Sequence, residues 1–189
     1  EEWGVELLQK IRGMFTFVIW DRNKRELFGA RDHFGIKPFY YAKMNGTFMY
    51  ASEIKSLLRH PDFVKELNAE ALKPYMTFQY PAIGETFFKG VYKLPEGHYF
   101  TYRDGKMDIH RYYDEDFREG KQKLGELVNS IDQTVCDSVK AHQIADVEVG
   151  SFLSSGVDSS YVAAVARPQH TYSIGFGKGT YNESQQAGE

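Results

Sequence analysis

The segment from Val147 to Ser160, VEVGSFLSSGVDSS, constrains the fold of this chain more than any other segment. Its first half is apolar and contains one glycine, which is typical of a strand buried in a parallel sheet. Its second half contains four serines, a glycine, a valine and an aspartate, and residues 161–166 then have the composition of a helix. The segment therefore predicts a strand, a tight turn and a helix in succession.

A turn of small residues at a helix N-terminus favours anion binding. Backbone N–H groups can approach an anion closely there, and the first helical turn adds unpaired N–H groups and the positive end of the helix dipole. Asp158 would repel a phosphate unless a divalent cation lay between them, which implies Mg²⁺. The alternative is an ordinary strand-to-helix turn whose serines and aspartate only cap the helix. These residues by themselves leave both interpretations open.

The residues SSGVDS at 154–159 resemble the PP-loop, S-G-G-x-D-S, of the ATP pyrophosphatase superfamily, whose members adenylate a substrate and release pyrophosphate. The longer stretch SVKAHQIADVEVGSFLSSGVDSS and the following HTYSIGF are similar to the opening of the synthetase domain of glutamine-dependent asparagine synthetases. Ser155 departs from the motif because it stands at the position of the second glycine. Its side chain could crowd a pyrophosphate or hydrogen-bond to it.

This resemblance implies that the chain binds ATP and Mg²⁺. It assigns Asp158 as a ligand of Mg²⁺ bound to pyrophosphate, and it places Leu153, Ile174 and Gly175 beside adenine or ribose. The nucleotide-binding residues that it implies are Leu153, Ser154, Ser155, Gly156, Val157, Asp158, Ser159, Ser160, Ile174 and Gly175. The later stretch GFGKGT, residues 175–180, matches no phosphate-binding motif, and we expect a flexible loop there.

Three β-hairpins are expected in the first half of the chain. The turn residues 21–24, 45–46 and 104–105 each separate two strand-like runs, and Asn-Gly and Asp-Gly are strong hairpin signals. Helices are expected at 3–11, at 53–59 with Ser52 as the N-cap, and at 69–76. Arg31 and Asp32 precede a turn into Gly35, where we expect a buried structural pair.

The segments GMFTFVIWD, ARDHFGIKPFYY, YASEIKSLL and VYKLPEGHYF, in this order, resemble the second half of the class II glutamine amidotransferase domain. That domain is an N-terminal-nucleophile hydrolase fold with two sheets between helix layers. The expected architecture is therefore the second part of an αββα glutaminase domain followed by the start of a parallel α/β PP-loop domain. We place these domains at 1–113 and 124–189, with a charged linker at 114–123 and a long amphipathic helix at 124–139.

Composition narrows the class of protein. Hydrophobic residues at 42% and charged residues at 26% are ordinary for a soluble globular protein, and the net charge of −3 provides no attraction to nucleic acid or an anionic membrane. The single cysteine, Cys136, permits no intrachain disulfide and fits a reducing cytoplasmic setting. No apolar run approaches about 18 residues, so no membrane-spanning helix is expected.

The resemblance implies an internal fragment of a ligase that makes asparagine from aspartate, glutamine and ATP through β-aspartyl-AMP. Aspartate, glutamine and ATP are therefore the expected small-molecule partners, and the oligomeric state is left open, with a homodimer as one option. Two alternatives share the same motifs. One is a related amidotransferase that acts on another carboxylate, as a β-lactam synthetase does, and the other is a catalytically silent truncated module.

We expect that this chain by itself does not hydrolyse glutamine. In the family that it resembles, a cysteine at the N-terminus attacks the amide and its α-amino group serves as base, whereas this chain begins Glu1-Glu2-Trp3. Cys136 lies within a predicted helix, where a small buried residue is expected, so no catalytic residue is assigned. Incubating the purified chain with glutamine and measuring glutamate tests this expectation. Glutamate formed above a protein-free blank would contradict it.

Overall fold

Antiparallel hairpins make up most of the first half of the computed structural model, which describes residues 2–80 and 83–175. The chain divides into two units, Glu1–Phe117 and Arg118–Glu189. The strands are β1 (Thr16–Asp21), β2 (Glu26–Arg31), β3 (Tyr40–Met44), β4 (Thr47–Ala51), β5 (Val91–Lys93), β6 (His98–Arg103), β7 (Lys106–Arg111), β8 (Ser151–Phe152) and β9 (Thr171–Tyr172). The α-helices are α1 (Ile54–Leu57), α2 (Leu72–Phe78), α3 (Leu124–His142) and α4 (Val157–Ala166).

The three hairpins expected from the sequence are confirmed. Strands β1 and β2, β3 and β4, and β6 and β7 each pair in antiparallel register. At the β3–β4 turn, Asn45 and Gly46 have φ angles of 49° and 82°, and at the β6–β7 turn Asp104 and Gly105 have 50° and 77°. Two consecutive left-handed residues fit a type I′ turn, whose twist matches that of the paired strands.

The first unit contains two antiparallel sheets that share a core. One sheet has the strand order β1-β2-β6-β7 and the other has the order β4-β3-β5. Phe39, Leu94 and Phe100 are buried together, and Phe48 of β4 stacks on Tyr102 of β6 with ring centroids 4.2 Å apart. A second cluster packs α1 against the three-stranded sheet through Ala42, Met44, Met49, Leu57 and Val91. The unit is therefore mixed α/β, with its core between the sheets and beneath α1.

The first helices differ from expectation in type and in their first residues. Residues Gly4–Gln9 form a 3₁₀ helix rather than the end of an α-helix, and Leu8 is its one buried residue. A single buried position cannot anchor an amphipathic α-helical face. Ser52 is not an N-cap, because α1 begins only after Glu53 and no side chain caps it. Pro74 lies in the first turn of α2, where its missing N–H has no intrahelical acceptor to lose.

Arg31 is buried at the end of β2, with 2% of its surface exposed. Its Nε donates to Lys37 O at 2.7 Å, its Nη1 donates to Leu94 O at 2.7 Å, and its Nη2 donates to Gly35 O. Gly35 has a φ of 62°, and a Cβ there would lie 2.7 Å from Arg31 Nη2. The guanidinium group thus fixes a turn that only glycine can complete without strain.

Asp32, exposed by 1%, organises the same turn through its carboxylate. Oδ1 accepts from the N–H groups of Phe34 at 3.2 Å and Ile36 at 2.9 Å, and Oδ2 accepts from that of Lys37 at 2.9 Å. Burial by itself would raise the pKa of Asp32, but these N–H donors lower it, and the net pKa lies below 3.8. The interpretation of Arg31 and Asp32 as a buried structural pair is confirmed, with backbone groups as their hydrogen-bond partners.

The second unit begins at Arg118, within the segment 112–123, which contains no helix or strand. The long helix expected at 124–139 is confirmed and continues to His142 as α3. Strand β8 pairs in parallel with β9, and α4 lies between them in the chain. The expectation that β8 is buried is wrong for the described residues, since Phe152 is 78% exposed. The described residues form only two strands of this sheet, and a two-stranded sheet is too small to bury a core of its own.

Among the described residues, no helix is both long enough and apolar enough to cross a membrane.

Replacing Asp32 by Asn is expected to lower the free energy of unfolding at neutral pH by about 1–3 kcal/mol, because the amide nitrogen cannot accept from Lys37 N–H. The folded pKa of Asp32 is lowered, so its stabilising contribution is present above about pH 4 and is lost as the pH falls through the folded pKa. The difference between wild type and variant should therefore shrink in acid. Urea unfolding at several pH values measures it.

Asp104→Asn is the matched control for this prediction. The Asp104 side chain is 88% exposed in a hairpin turn, and asparagine tolerates its left-handed backbone. Equal destabilisation by the two substitutions, or a difference for Asp32→Asn that persists in acid, would contradict the role of the carboxylate.

Candidate functional site

The loop between β8 and α4 carries most of the residues that the sequence singles out. Helix α4 begins at Val157, four residues before the helical run that the composition suggested, and Gly156 is its N-cap with φ −76° and ψ 150°. Asp158, Ser159 and Ser160 therefore belong to the first helical turn rather than to the preceding turn. The start of α4 could not be predicted from composition, because small polar residues are common both before a helix and in its first turn.

A serine pair ties the loop to the first turn of α4. The hydroxyl of Ser159 donates to Ser154 O at 2.8 Å, accepts from Ser154 N at 3.2 Å and lies 2.9 Å from Ser154 Oγ. The same hydroxyl lies 3.1 Å from Gly156 O. These contacts hold the loop in place with short side chains, which leave its outer surface accessible.

Among the described residues, no serine or aspartate side chain caps α4 by a hydrogen bond, although Asp158 in the first turn complements the helix dipole. Gly156, the N-cap residue, has no side chain, and the first intrahelical bond runs from Ser160 N to Gly156 O at 3.1 Å. The N–H groups of Val157, Asp158 and Ser159 precede this bond, so they have no intrahelical acceptor. They form a set of donors at the positive end of the helix dipole.

Asp158 lies in the first turn of α4 and makes no hydrogen bond or ion pair with the residues that the structure describes. Its carboxylate is a hard oxygen donor of the kind that Mg²⁺ prefers. Within 2–80 and 83–175 no group of three or more His, Cys, Asp or Glu side chains is arranged to hold a metal ion. A cation at Asp158 would therefore take most of its ligands from water or from a bound ligand.

Ser155 and Gly156 both have ordinary backbone conformations. Ser155 is not among the described non-glycine residues with positive φ, and Gly156 has a negative φ. A Cβ at Gly156 would meet Ser154 Oγ at 3.4 Å, an ordinary van der Waals distance. Neither position requires glycine for the conformation of the loop itself, so any requirement for glycine at 156 must come from a molecule that approaches the backbone.

Leu153, Ile174 and Gly175 lie at one edge of the parallel strand pair. Leu153 N donates to Tyr172 O at 2.9 Å, and Ser173 Oγ donates to Leu153 O at 2.6 Å, so the carboxyl ends of β8 and β9 lie side by side. Ile174 follows with 68% of its surface exposed. This is the edge of a parallel sheet at which ligands commonly bind. The expected GFGKGT loop continues into residues 176–180, outside the described residues.

Sequence reasoning missed the contacts that hold α4 against α3. The hydroxyl of Tyr161 donates to Asp132 Oδ1, and Gln143 Nε2 donates to Ala166 O at 2.7 Å. Asp132 and Gln143 carry no signal in the sequence, because polar residues on an amphipathic helix usually face solvent. Cys136, on the same helix, is half-buried.

Comparison with known families divides the chain into two matched segments. Residues 1–113 match the family described as glutamine amidotransferase domain. Residues 130–189 match the family described as asparagine synthase.

The chain also has curated relatives. It is 40% identical over 189 residues to asparagine synthetase [glutamine-hydrolyzing] 1 of Bacillus subtilis, covering 97% of this chain and 30% of that protein. It is 38% identical over 198 residues to a putative asparagine synthetase [glutamine-hydrolyzing] of Mycobacterium tuberculosis, with coverages of 96% and 30%. Amidase chry2 of Gibberella zeae is 33% identical over 174 residues, with coverages of 87% and 25%. The chain thus spans about 30% of the length of the first two.

Proposed function

Because the chain belongs, over residues 1–113, to the glutamine amidotransferase domain family, we propose that it is part of a glutamine-hydrolysing asparagine synthetase. The observation that carries this proposal is the order of the two matches, a glutamine amidotransferase domain followed by an asparagine synthase segment in one chain. The first kind of domain releases ammonia from glutamine, and the second would consume that ammonia.

The proposal extends to the domain architecture. Residues 1–113 would be the second part of an αββα N-terminal-nucleophile domain, and the two packed antiparallel sheets of this unit support that assignment. Residues 114–123 would be the linker, and 124–189 the start of a PP-loop domain. The parallel pairing of β8 with β9 around α4 supports the last assignment.

In the proposed site the first turn of α4 holds the phosphates of ATP. The N–H groups of Val157, Asp158 and Ser159 lack intrahelical acceptors and would donate to phosphate oxygens, with hydroxyls of Ser154, Ser155 and Ser160 as further donors. Asp158, which has no partner among the described residues, would hold Mg²⁺. When bound, Mg²⁺ neutralises charge on the phosphates. Leu153, Ile174 and Gly175 would flank the adenine or ribose.

The proposed reaction activates a carboxylate that is otherwise a poor electrophile. An oxygen of the aspartate β-carboxylate attacks the α-phosphorus of ATP, and the bond to pyrophosphate breaks. Ammonia then attacks the activated carbonyl carbon, the C–N bond of asparagine forms as the nitrogen loses one proton to solvent, and AMP leaves with the electron pair of the C–O bond. The contribution of this chain is to orient the triphosphate and to stabilise the charge that develops on the leaving pyrophosphate.

A related amidotransferase that acts on another carboxylate is the second candidate. The observation that keeps it open is that a protein not named an asparagine synthetase, amidase chry2, is 33% identical over 174 residues. Such an enzyme would use the same loop and first turn, and would differ in the acceptor that it adenylates.

We expect the full-length enzyme that contains this chain to exchange pyrophosphate into ATP only when aspartate and Mg²⁺ are present. Asp158→Asn should abolish the exchange, because the neutral amide is a poor ligand for Mg²⁺. Asp146→Asn, at an exposed position of the same unit, should leave it unchanged. Exchange with a different carboxylate would favour the second candidate, and no exchange with any carboxylate would indicate a catalytically silent module.

Gly156→Ala is expected to weaken binding of Mg-ATP roughly tenfold, equivalent to about 1.4 kcal/mol, and to lower the melting temperature only slightly, because alanine is a poorer N-cap than glycine. The added Cβ has room in the free loop but would block the approach of a phosphate to the backbone. Gly125→Ala, where a Cβ meets nothing within 4 Å, is the control. Isothermal titration calorimetry and thermal unfolding measure both effects. Unchanged affinity, or a fall in melting temperature that accounts for the weaker binding, would argue against this site.

A further inference from the structure

Helix α4 has no single apolar face. Counted at 100° per residue, its apolar side chains lie on every side of the helix, and its polar residues are spread between them. A helix with one apolar stripe is oriented about its axis by burial of that stripe. Since α4 lacks a stripe, hydrophobic packing leaves its rotation poorly determined. Some other interaction must decide where its first turn points.

Within the described part of the chain, hydrogen bonds attach α4 to α3 and to Gln143, the residue that follows α3. In the middle of α4, the hydroxyl of Tyr161 donates to Oδ1 of Asp132, a residue 29 positions earlier in the chain. At its end, Gln143 Nε2 donates to Ala166 O at 2.7 Å. The first bond involves a side chain of α4 and therefore constrains the rotation of the helix relative to α3. The second involves a backbone carbonyl at the last helical residue, so it holds the position of the C-terminus.

Tyr161 lies one turn after the residues of the candidate nucleotide site. It is three positions after Asp158 and four after Val157, and residues at these spacings lie on neighbouring parts of one helix face. A rotation of α4 that moved Tyr161 away from Asp132 would turn Asp158 and the unpaired first-turn N–H groups by the same angle. The Tyr161–Asp132 bond therefore acts together with the Ser159–Ser154 contacts to fix the direction in which those groups point.

We propose that Tyr161 and Asp132 are positioning residues for the triphosphate of ATP, an inference that rests on the proposed function of the loop. They touch no phosphate themselves. Their hydrogen bond holds α4 in the rotation at which Asp158 and the first-turn donors face one ligand.

The protonation state of the tyrosine suits this role. The hydrogen bond to Asp132 raises the pKa of Tyr161 to about 12, so the phenol keeps its proton and donates throughout the neutral range. Cys136, one turn further along α3, interacts more weakly with the same side chain.

The test uses Tyr161→Phe in the full-length enzyme, which removes one hydroxyl and keeps the ring. We expect the KM for ATP and the Kd for Mg-ATP to rise about fivefold, the effect of losing one hydrogen bond, with little change in melting temperature. The KM for glutamine should not change. Tyr172→Phe, which removes an exposed hydroxyl without a described hydrogen bond in the same unit, is the matched control.

Variants of Asp132 separate positioning from folding. Asp132→Ala should reproduce the effect of Tyr161→Phe, whereas Asp132→Asn keeps an oxygen acceptor and should restore affinity close to wild type. The double variant that combines Asp132→Ala with Tyr161→Phe should bind Mg-ATP no more weakly than the weaker single variant, since both changes remove one interaction. Gln143→Ala frees only the C-terminus of α4. It should lower the melting temperature and leave the KM for ATP close to that of wild type.

Each outcome decides between definite alternatives. An unchanged KM for ATP in Tyr161→Phe, or a loss that matches a fall in melting temperature in every variant, would overturn the positioning role. Additive losses in the double variant would also overturn it. Failure of the wild-type enzyme to bind Mg-ATP would instead refute the proposed function, and this arm of the experiment keeps the two failures distinguishable.

Discussion

The first unit depends on the burial of one guanidinium group. Arg31 donates to carbonyl oxygens of the turn that follows β2 and to Leu94 O, 63 residues later in the chain. A buried charge is costly unless its hydrogen bonds are satisfied, so each of these carbonyls must stay in place. The Asp32 carboxylate fixes the same turn by accepting hydrogen bonds from the N–H groups of Ile36 and Lys37. This turn leads into β3, directly before which Phe39 packs with Phe100 of β6 in the buried core.

The second unit is organised differently. None of its described residues is buried, and its helices and strands are joined by hydrogen bonds between exposed or half-buried groups. Such bonds contribute little to stability individually, but they are directional. Direction is what a phosphate-binding loop requires, because donors must converge on one anion. The serine pair in the loop and the tyrosine on α4 are both interactions of this kind.

Predictions from the sequence succeeded where the signal was local. The Asn45-Gly46 turn predicted its hairpin because only a few residues adopt consecutive left-handed conformations, and the spacing of apolar residues predicted α3. They were wrong where other parts of the chain decide the outcome. Serine is a favoured N-cap residue, but α1 begins one residue later than an N-cap at Ser52 requires. Phe152 lies in an apolar segment that is typical of a buried strand, but its side chain is exposed among the described residues.

The sequence by itself determined the hairpins, the strand, loop and helix order of the second unit, and the small residues of the loop. Each of these follows from residues close together in the chain, whose conformational preferences do not depend on distant partners. Only the tertiary structure decided which carbonyls Arg31 reaches and which acceptor Tyr161 finds. These partners lie 63 and 29 residues away, and no periodic pattern marks a contact between single side chains at such separations.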